Sequence, residues 1–507
     1  MIKFKAILTA LILALTLILA AACGESTDNP GQDGSGAANP DNGWDNLTDE
    51  TEEPGEERIL PDIPDDADFG GHIFSILTFG VAGSHEWENI DLTSEEQTGD
   101  IIGDAVYLRN RAVEAKYNFT LKQEHRYDGD FGSTLRNAIS SGTDEFDLIS
   151  PRVIDSAGLM QQGYFMNLHN PDIEYIDLDK PWWDQSGIRE MSIDNKLFII
   201  LSDTLLSDDN ATCIIVFNKE INRDNNLADP YQLVREGKWT VDALYEMAKA
   251  SARDLNGDGA MTPADDLYGY ITWGDAMITF LHAGGERLVS KNENDLPVLA
   301  FNTPQTFAVM EKAMDLMYDD TVTGNIQKSE FGAWSDIPFE DLFRSGRAAF
   351  GWVRLGWVPL LRAMEADFGI LPIPKIFESD DNIYYSTINV HTSCALAIPV
   401  TSRDLDRTSI IMEALAAESR YTLVPAYYEV SLRTQHTRDD ESSEMLDIIL
   451  SNRVLDIGDV YNFADFGIEF YRLSLTNNRN LASFYDRFET RVERELERLI
   501  GRFEEMD

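Results

Sequence analysis

Residues 237–270 read GKWTVDALYEMAKASARDLNGDGAMTPADDLYGY. Thr240 is a helix-capping type, and Val241, Leu244, Ala248 and Ala252 recur at helical spacing, which predicts a helix over about 240–253. Asp254, Asn256 and Asp258 then stand at alternate positions, Gly259 follows, and Asp265 closes at the twelfth position. That is the spacing of a calcium-binding loop. A calcium sensor needs a helix on each side and a second, paired loop. Here Tyr268 and Gly269 end any second helix within about a turn, YGYITW reads as a strand, and no second loop of this spacing occurs. The stretch therefore predicts a lone loop inside an α/β domain. One structural Ca2+ would be held there by Asp254, Asn256, Asp258, the Ala260 carbonyl and Asp265. Asp265 stands where a longer Glu is usual, and a polar turn without metal is the alternative.

The same alternation extends on both sides. HIFSILTF is an apolar strand, DAVYLRNRAVEAKYN has helical spacing, FTLKQEHR alternates as a strand, FGSTLRNAISSG is a short helix ending at Gly142, and FDLISPR is a further strand. KLFIILSD and CIIVFNK add strands before the opening stretch, and TSCALAIPV adds one that could return to the first sheet. Strands alternating with helices argue for parallel sheets flanked by helices. Trp239 is assigned to the core.

The chain has 507 residues and a formal net charge of -48. Length allows two or three domains, and the charge argues against nucleic acid as a partner. Lys3 and Lys5 precede an apolar run from Ala6 to Ala22, and LAAACGES follows. A basic start, an apolar centre and a small-residue exit read as a signal peptide over 1–22. Cys23 directly after the small residues resembles a bacterial lipobox, which implies lipidation at Cys23. An uncleaved membrane anchor is the alternative. Residues 23–68, rich in Gly, Pro, Asn, Asp and Glu with Arg58 the only basic residue, read as a disordered acidic tether. Cys213 and Cys394 both lie in apolar runs; buried thiols and a disulfide are both open to an exported chain.

The opening stretch, with its Trp-Thr helix start, NGDG loop and following YG, resembles the central segment of family 1 extracellular solute-binding proteins of bacterial ABC importers. FNTPQTFAVMEKAMDLM, FRSGRAAFGW, DFGILPIPK and CALAIPVTSRDLDRTSIIMEAL resemble that family's successive blocks in order. PAYYEV and RDDESSEMLDII look like a clostridial subgroup. The resemblance implies a two-lobed periplasmic-binding-protein-like fold of type II, each lobe a sheet flanked by helices, with a hinge and a ligand cleft between lobes. It divides the chain into an N-lobe over 69–216, a C-lobe over 217–380, a return to the N-lobe over 381–425 and a C-terminal helical segment over 426–507 packing on the C-lobe.

A sugar site needs aromatic planes for C–H faces and directed polar groups for hydroxyls. Trp352, Arg354 and Trp357 follow one strand, and Trp273 follows another. The family's segment after the SGRAAF strand commonly supplies a stacking Trp, which favours Trp352. Trp182 and Trp183 are adjacent, so in an extended segment one would face the core and the other, Trp183, the cleft. Tyr428, beside Tyr427, lies in a late segment near the cleft in relatives. Arg152 and Asp203 follow apolar strands as polar partners. Core packing for the aromatics and surface ion pairing for the charges are the plain alternatives. His85 in HEWEN lacks the second histidine of a zinc protease, and no nucleophile elbow or phosphate loop occurs.

These residues together predict a non-enzymatic lipoprotein on the extracellular face of the cytoplasmic membrane. It captures a small solute, a sugar or oligosaccharide, and delivers it as a monomer to ABC importer membrane subunits. A surface-tethered carbohydrate-active enzyme and a non-transport adhesin are the alternatives.

Overall fold

The computed structural model describes residues 58–80, 91–127, 129–328, 339–379, 383–428 and 440–506. The chain divides into two units, Met1–Glu56 and Glu57–Asp507, and every described residue lies in the second. Cys23, the signal peptide, most of the tether and His85 lie outside the described residues.

The first sheet has three parallel strands: β1 (His72–Phe79), β2 (Phe119–Arg126) and β3 (Leu148–Ser150), in the order β2-β1-β3. Helix α1 (Ile101–Tyr117) connects the first pair and α2 (Gly129–Ser141) the second. Asp100 caps α1 by accepting from the Gly103 amide at 2.8 Å. Helix α3 (Val153–Gln161) leaves the end of β3.

The second sheet has five strands. They are β4 (Cys213–Asn218), β5 (Tyr268–Thr272), β8 (Thr323–Asn325), β9 (Ala348–Arg354) and β10 (Phe368–Leu371). A small hairpin of β6 (Val289–Lys291) and β7 (Pro297–Leu299) stands apart from it. The five-strand order is β10-β4-β9-β5-β8, antiparallel around β4 and parallel around β5. Helix α4 (Val241–Ser251) packs on it, and Thr240 accepts from the Ala243 amide at 3.2 Å. Trp239 is fully buried against Phe350, its indole N–H donating to the Pro372 carbonyl at 2.8 Å. Gly269 lets β5 meet α4 closely: a Cβ there would lie 2.1 Å from the Ala248 carbonyl oxygen.

After the second sheet the chain pairs β11 (Ser386–Thr387) with β12 (Arg453–Val454). It then bridges Arg152 from Cys394, Ile200 from Leu396 and Ile149 from Ala397, all antiparallel. The run Lys196–Asp203, expected as a strand, forms only single bridges, among them Ile200–Leu396 and Trp183–Ser202. Helix α5 (Ala276–Ala283) follows β5, and α6 (Leu405–Tyr421) packs on α1. Short α7 (Ile457–Tyr461), α8 (Phe466–Leu475) and long α9 (Leu481–Glu505) end the chain. On α9, Phe484 stacks on Phe466 while Phe503 meets Phe198 edge-to-face at 5.2 Å. Cys213 and Cys394 are buried and form no disulfide. Among the described residues no helix is long and apolar enough to cross a membrane.

Trp182 and Trp183 correct an expectation. Trp182 lies in a turn and Trp183 at the bridge to Ser202, not in an extended strand, and their indoles converge on one partner. Both are buried, and both indole N–H groups donate to the Glu413 carboxylate of α6, at 3.1 Å each. Burial pushes the Glu413 carboxyl up to about 7, against the opposing effect of these donors. An amide offers one acceptor oxygen and would turn its NH2 toward the second indole. Glu413→Gln should therefore cost about 1–3 kcal/mol of stability, read as the urea midpoint followed by tryptophan fluorescence; equal midpoints would contradict this pairing.

Candidate functional site

A cavity of about 540 Å³ opens where the second sheet ends against the 386–392 segment and the first turn of α3. The sheet supplies Trp352 and Arg354 from β9, Trp357 from the turn after it, and Trp273 and Asp275 just past β5. Asn389, His391, Thr392 and Ile154 face them. Asp459 of α7 and Tyr471 of α8 complete the wall.

The aromatic surface is an interlocked set. Trp273 and Trp357 are both half-buried and meet edge-to-face, centroids 5.5 Å apart. The Arg354 guanidinium lies 4.7 Å over the Trp357 ring. Trp352 is only 2% exposed, held in β9 opposite Ile215 of β4. Its indole N–H reaches no acceptor among the described residues, and neither does the Thr392 hydroxyl. A buried donor without a partner costs free energy, so a cavity lined by one is built to receive an acceptor.

The remaining polar groups are held by side-chain and backbone hydrogen bonds. Asn389 donates to the Asp275 carboxylate at 3.1 Å, and Gln327 accepts from the Gly274 amide at 2.7 Å. Burial holds His391 below the usual histidine range, so at neutral pH its ring offers one donor and one acceptor. Between α7 and α8 the backbone is strained: Asn462, Ala464 and Asp465 have φ of 42°, 52° and 63°. Left-handed backbone at Ala is unfavourable by about 1 kcal/mol. It persists because Glu495 accepts from the Ala464 amide and Asn462 accepts from Ile468 at 3.1 Å.

The eight candidate ligand residues do not gather in one place. Trp273, Trp352, Arg354 and Trp357 line this cavity. Trp183, Asp203 and Tyr428 line a second one, of about 980 Å³. Arg152 lines neither; it pairs with Asp155 at 2.7 Å and covers the Phe79 ring at 4.6 Å. The second cavity largely satisfies itself. Arg453 pairs with Asp184 at 2.8 Å, Asp208 at 2.9 Å and Asp209; Tyr428 donates to Asp209 at 3.1 Å; and Asp203 pairs with Arg420 at 3.1 Å. Asn389, His391, Thr392, Asp275, Asp459 and Tyr471 were not singled out by sequence. Asp275, two residues past a strand-end tryptophan, carried the one local signal.

No protein-family model matches the chain, and no curated protein matches it. Solved structures do match. An ABC substrate-binding protein of Listeria monocytogenes, solved with cycloalternan, shares 11% identity over 83% of this chain and 98% of its own, with a TM-score of 0.55. A cyclic alpha-maltosyl-1,6-maltose binding protein of Arthrobacter globiformis shares 12% over 84% and 99%, also at 0.55. A sugar transporter protein of Rhizobium etli in an open conformation shares 15% over 86% and 100%, at 0.53. The fold is that of the two-lobed solute-binding proteins. The first cavity lies between the end of the second sheet and the start of α3, which follows the first sheet.

The Asp254–Asp265 loop contributes no lining residue to either cavity. The Asp254 carboxylate accepts from the Gly257 and Gly259 amides at 2.7 and 2.8 Å, and Asp258 accepts from Ala260 at 2.8 Å. Asp266, unremarked in the sequence, closes the loop: fully buried, it accepts from Leu255 at 2.9 Å and Thr262 at 2.7 Å. Among the described residues no three acidic, His or Cys groups gather closely enough to hold a metal as arranged. Asp266→Ala strands two amides and should cost about 1–3 kcal/mol in calcium-free buffer; an unchanged denaturation midpoint would remove this clasp from the account.

Proposed function

We propose that this protein is an extracellular solute receptor that closes around a saccharide and passes it to an ABC importer. The observation that carries the reading is the first cavity: two half-buried tryptophan faces beside donors that have no partner among the described residues, between the second sheet and α3. Apolar planes match the C–H faces of a sugar ring, and directed donors and acceptors match its hydroxyls. Its volume suits a ligand of a few rings rather than a polymer. Structures of like fold were solved with or named for saccharides, which favours the same ligand class here. The cavity's work is capture and release, without bond chemistry. Lipidation at Cys23, after a signal peptide, would hold the receptor at the outer face of the membrane.

Titration with a saccharide panel, followed by tryptophan fluorescence, should show saturable binding with the ligand recovered unchanged. Trp357→Ala should weaken that binding by about 1–3 kcal/mol, with little change in the melting temperature of the free protein. Turnover of the ligand, or no response to any saccharide, would overturn the proposal. For the anchor, Cys23→Ala should move the protein out of the membrane fraction or leave it unprocessed; normal processing and anchoring would refute lipidation there.

A structural calcium at Asp254, Asn256, Asp258, the Ala260 carbonyl and Asp265 belongs to the same proposal. Each ionised carboxylate has about four acceptor sites, so amide hydrogen bonds leave capacity for an ion once Asp258 and Asp265 turn inward. Calcium should then raise the melting temperature by mass action, an effect lost in Asp258→Ala. Coincident melts in calcium and in chelator would reduce the loop to a polar turn.

A further inference from the structure

The first cavity contains a carboxyl group to which the described residues give no cation. Asp459 stands half-buried on α7, with Asn462 and Gly467 beside it. A Cβ at Gly467 would lie 3.5 Å from Asp459 Oδ1, in ordinary van der Waals contact, which places this glycine beside that oxygen. The charged groups that bear on Asp459 are two further acids, Asp456 and Asp275. Asp456 is bonded to His282 at 3.1 Å and to the Leu288 amide at 2.7 Å. Asp275 holds the Asn389 amide.

The two arginines lining the cavity serve other groups: Arg354 covers the Trp357 ring, and Arg472 pairs with Glu469. Burial and the two neighbouring acids hold the Asp459 carboxyl well above the usual carboxylate range. The second cavity shows the contrast, because there Arg453 is supplied to Asp184, Asp208 and Asp209. A carboxylate removed from water without a counter-charge is costly, and a cationic partner relieves that cost.

We propose that the ligand supplies this cation: the cavity takes an amino sugar, its protonated amino group seated between Asp459 and Asp275. The ring then lies against Trp357 and Trp273, whose faces also favour a neighbouring ammonium. The unpartnered Trp352 indole N–H, in the same cavity wall, donates to a ring or hydroxyl oxygen. A neutral hydroxyl at the same place would leave the carboxylate charge uncompensated or require the carboxyl to stay protonated. A bare metal ion is a poorer match, because no three ligating groups gather among the described residues.

This assignment rests on the saccharide-capture reading, and one experiment separates the two. The full chain is titrated near pH 6.5, where an amine is protonated, with α- and β-linked disaccharides of glucosamine, their N-acetylated forms and the neutral glucose disaccharides. An amino form should bind roughly tenfold or more tightly than its N-acetylated and neutral counterparts. Asp459→Asn should erase that preference, bringing the amino, N-acetylated and neutral forms within about threefold of one another. If Asp459→Asn does not fold, the wild-type order of affinities decides. Neutral or N-acetylated sugars binding as tightly as the amino forms would overturn the assignment and leave saccharide capture standing. Binding of no saccharide in either class would overturn both.

Discussion

The 386–400 segment ties the structure together through its backbone. Ser386 and Ile388 donate to Asn452 and Val454, and Asn389 donates to Ala211 at the entry to β4. A few residues later Ala395 donates to Pro151, Leu396 to Ile200 and Ala397 to Ile149. One short stretch thus satisfies its amides against β12, against the edge of the second sheet and against the first sheet in turn. Buried backbone groups must be paired, so this ladder fixes the segment against both walls of the first cavity. The polar residues between the two ladders, Asn389, His391 and Thr392, are delivered to the cavity by the same constraint.

The acidic composition has local structural uses. Asp100, Asp184, Asp229, Asp404 and Asp456 each accept from an amide at a helix start. A carboxylate there both fills an orphan donor and suits the positive end of the helix dipole. Others are gathered around single arginines, as at Arg453. Against that pattern Asp459 stands out because, among the described residues, the charged groups that bear on it are acids. Breaking a buried charge pair is costly, so the second cavity's charges are committed to one another, whereas the first cavity keeps polar groups available.

Aromatic residues divide in the same way. Trp182, Trp183 and Trp239 spend their indole N–H groups on the fold, two on Glu413 and one on Pro372. Trp357 and Trp273 keep part of their faces at the cavity. The difference comes from packing depth and partner supply, since all five are tryptophans next to turns or strand ends.

Residue order alone determined several of the local elements. The apolar spacing and cap of Thr240 specify α4, the alternation of FTLKQEHR specifies β2, and Gly142, with φ of 64°, ends α2 where a left-handed residue is needed. These are decided within a few residues by backbone sterics, periodicity and capping, so they are legible without tertiary contacts. Trp273, Trp352, Arg354 and Trp357 could be singled out for the same reason, as aromatic and polar residues at strand ends. Only the tertiary structure decided that Trp183, Asp203 and Tyr428 line a different cavity, that Arg152 pairs with Asp155, and that His391 and Asp459 join the first site. Those placements depend on chain crossings that bring residue 391 to residue 275 and residue 413 to residues 182 and 183. Such pairings are set by which sheet edges and helix faces remain to be satisfied once the local elements exist, and no short-range pattern records them.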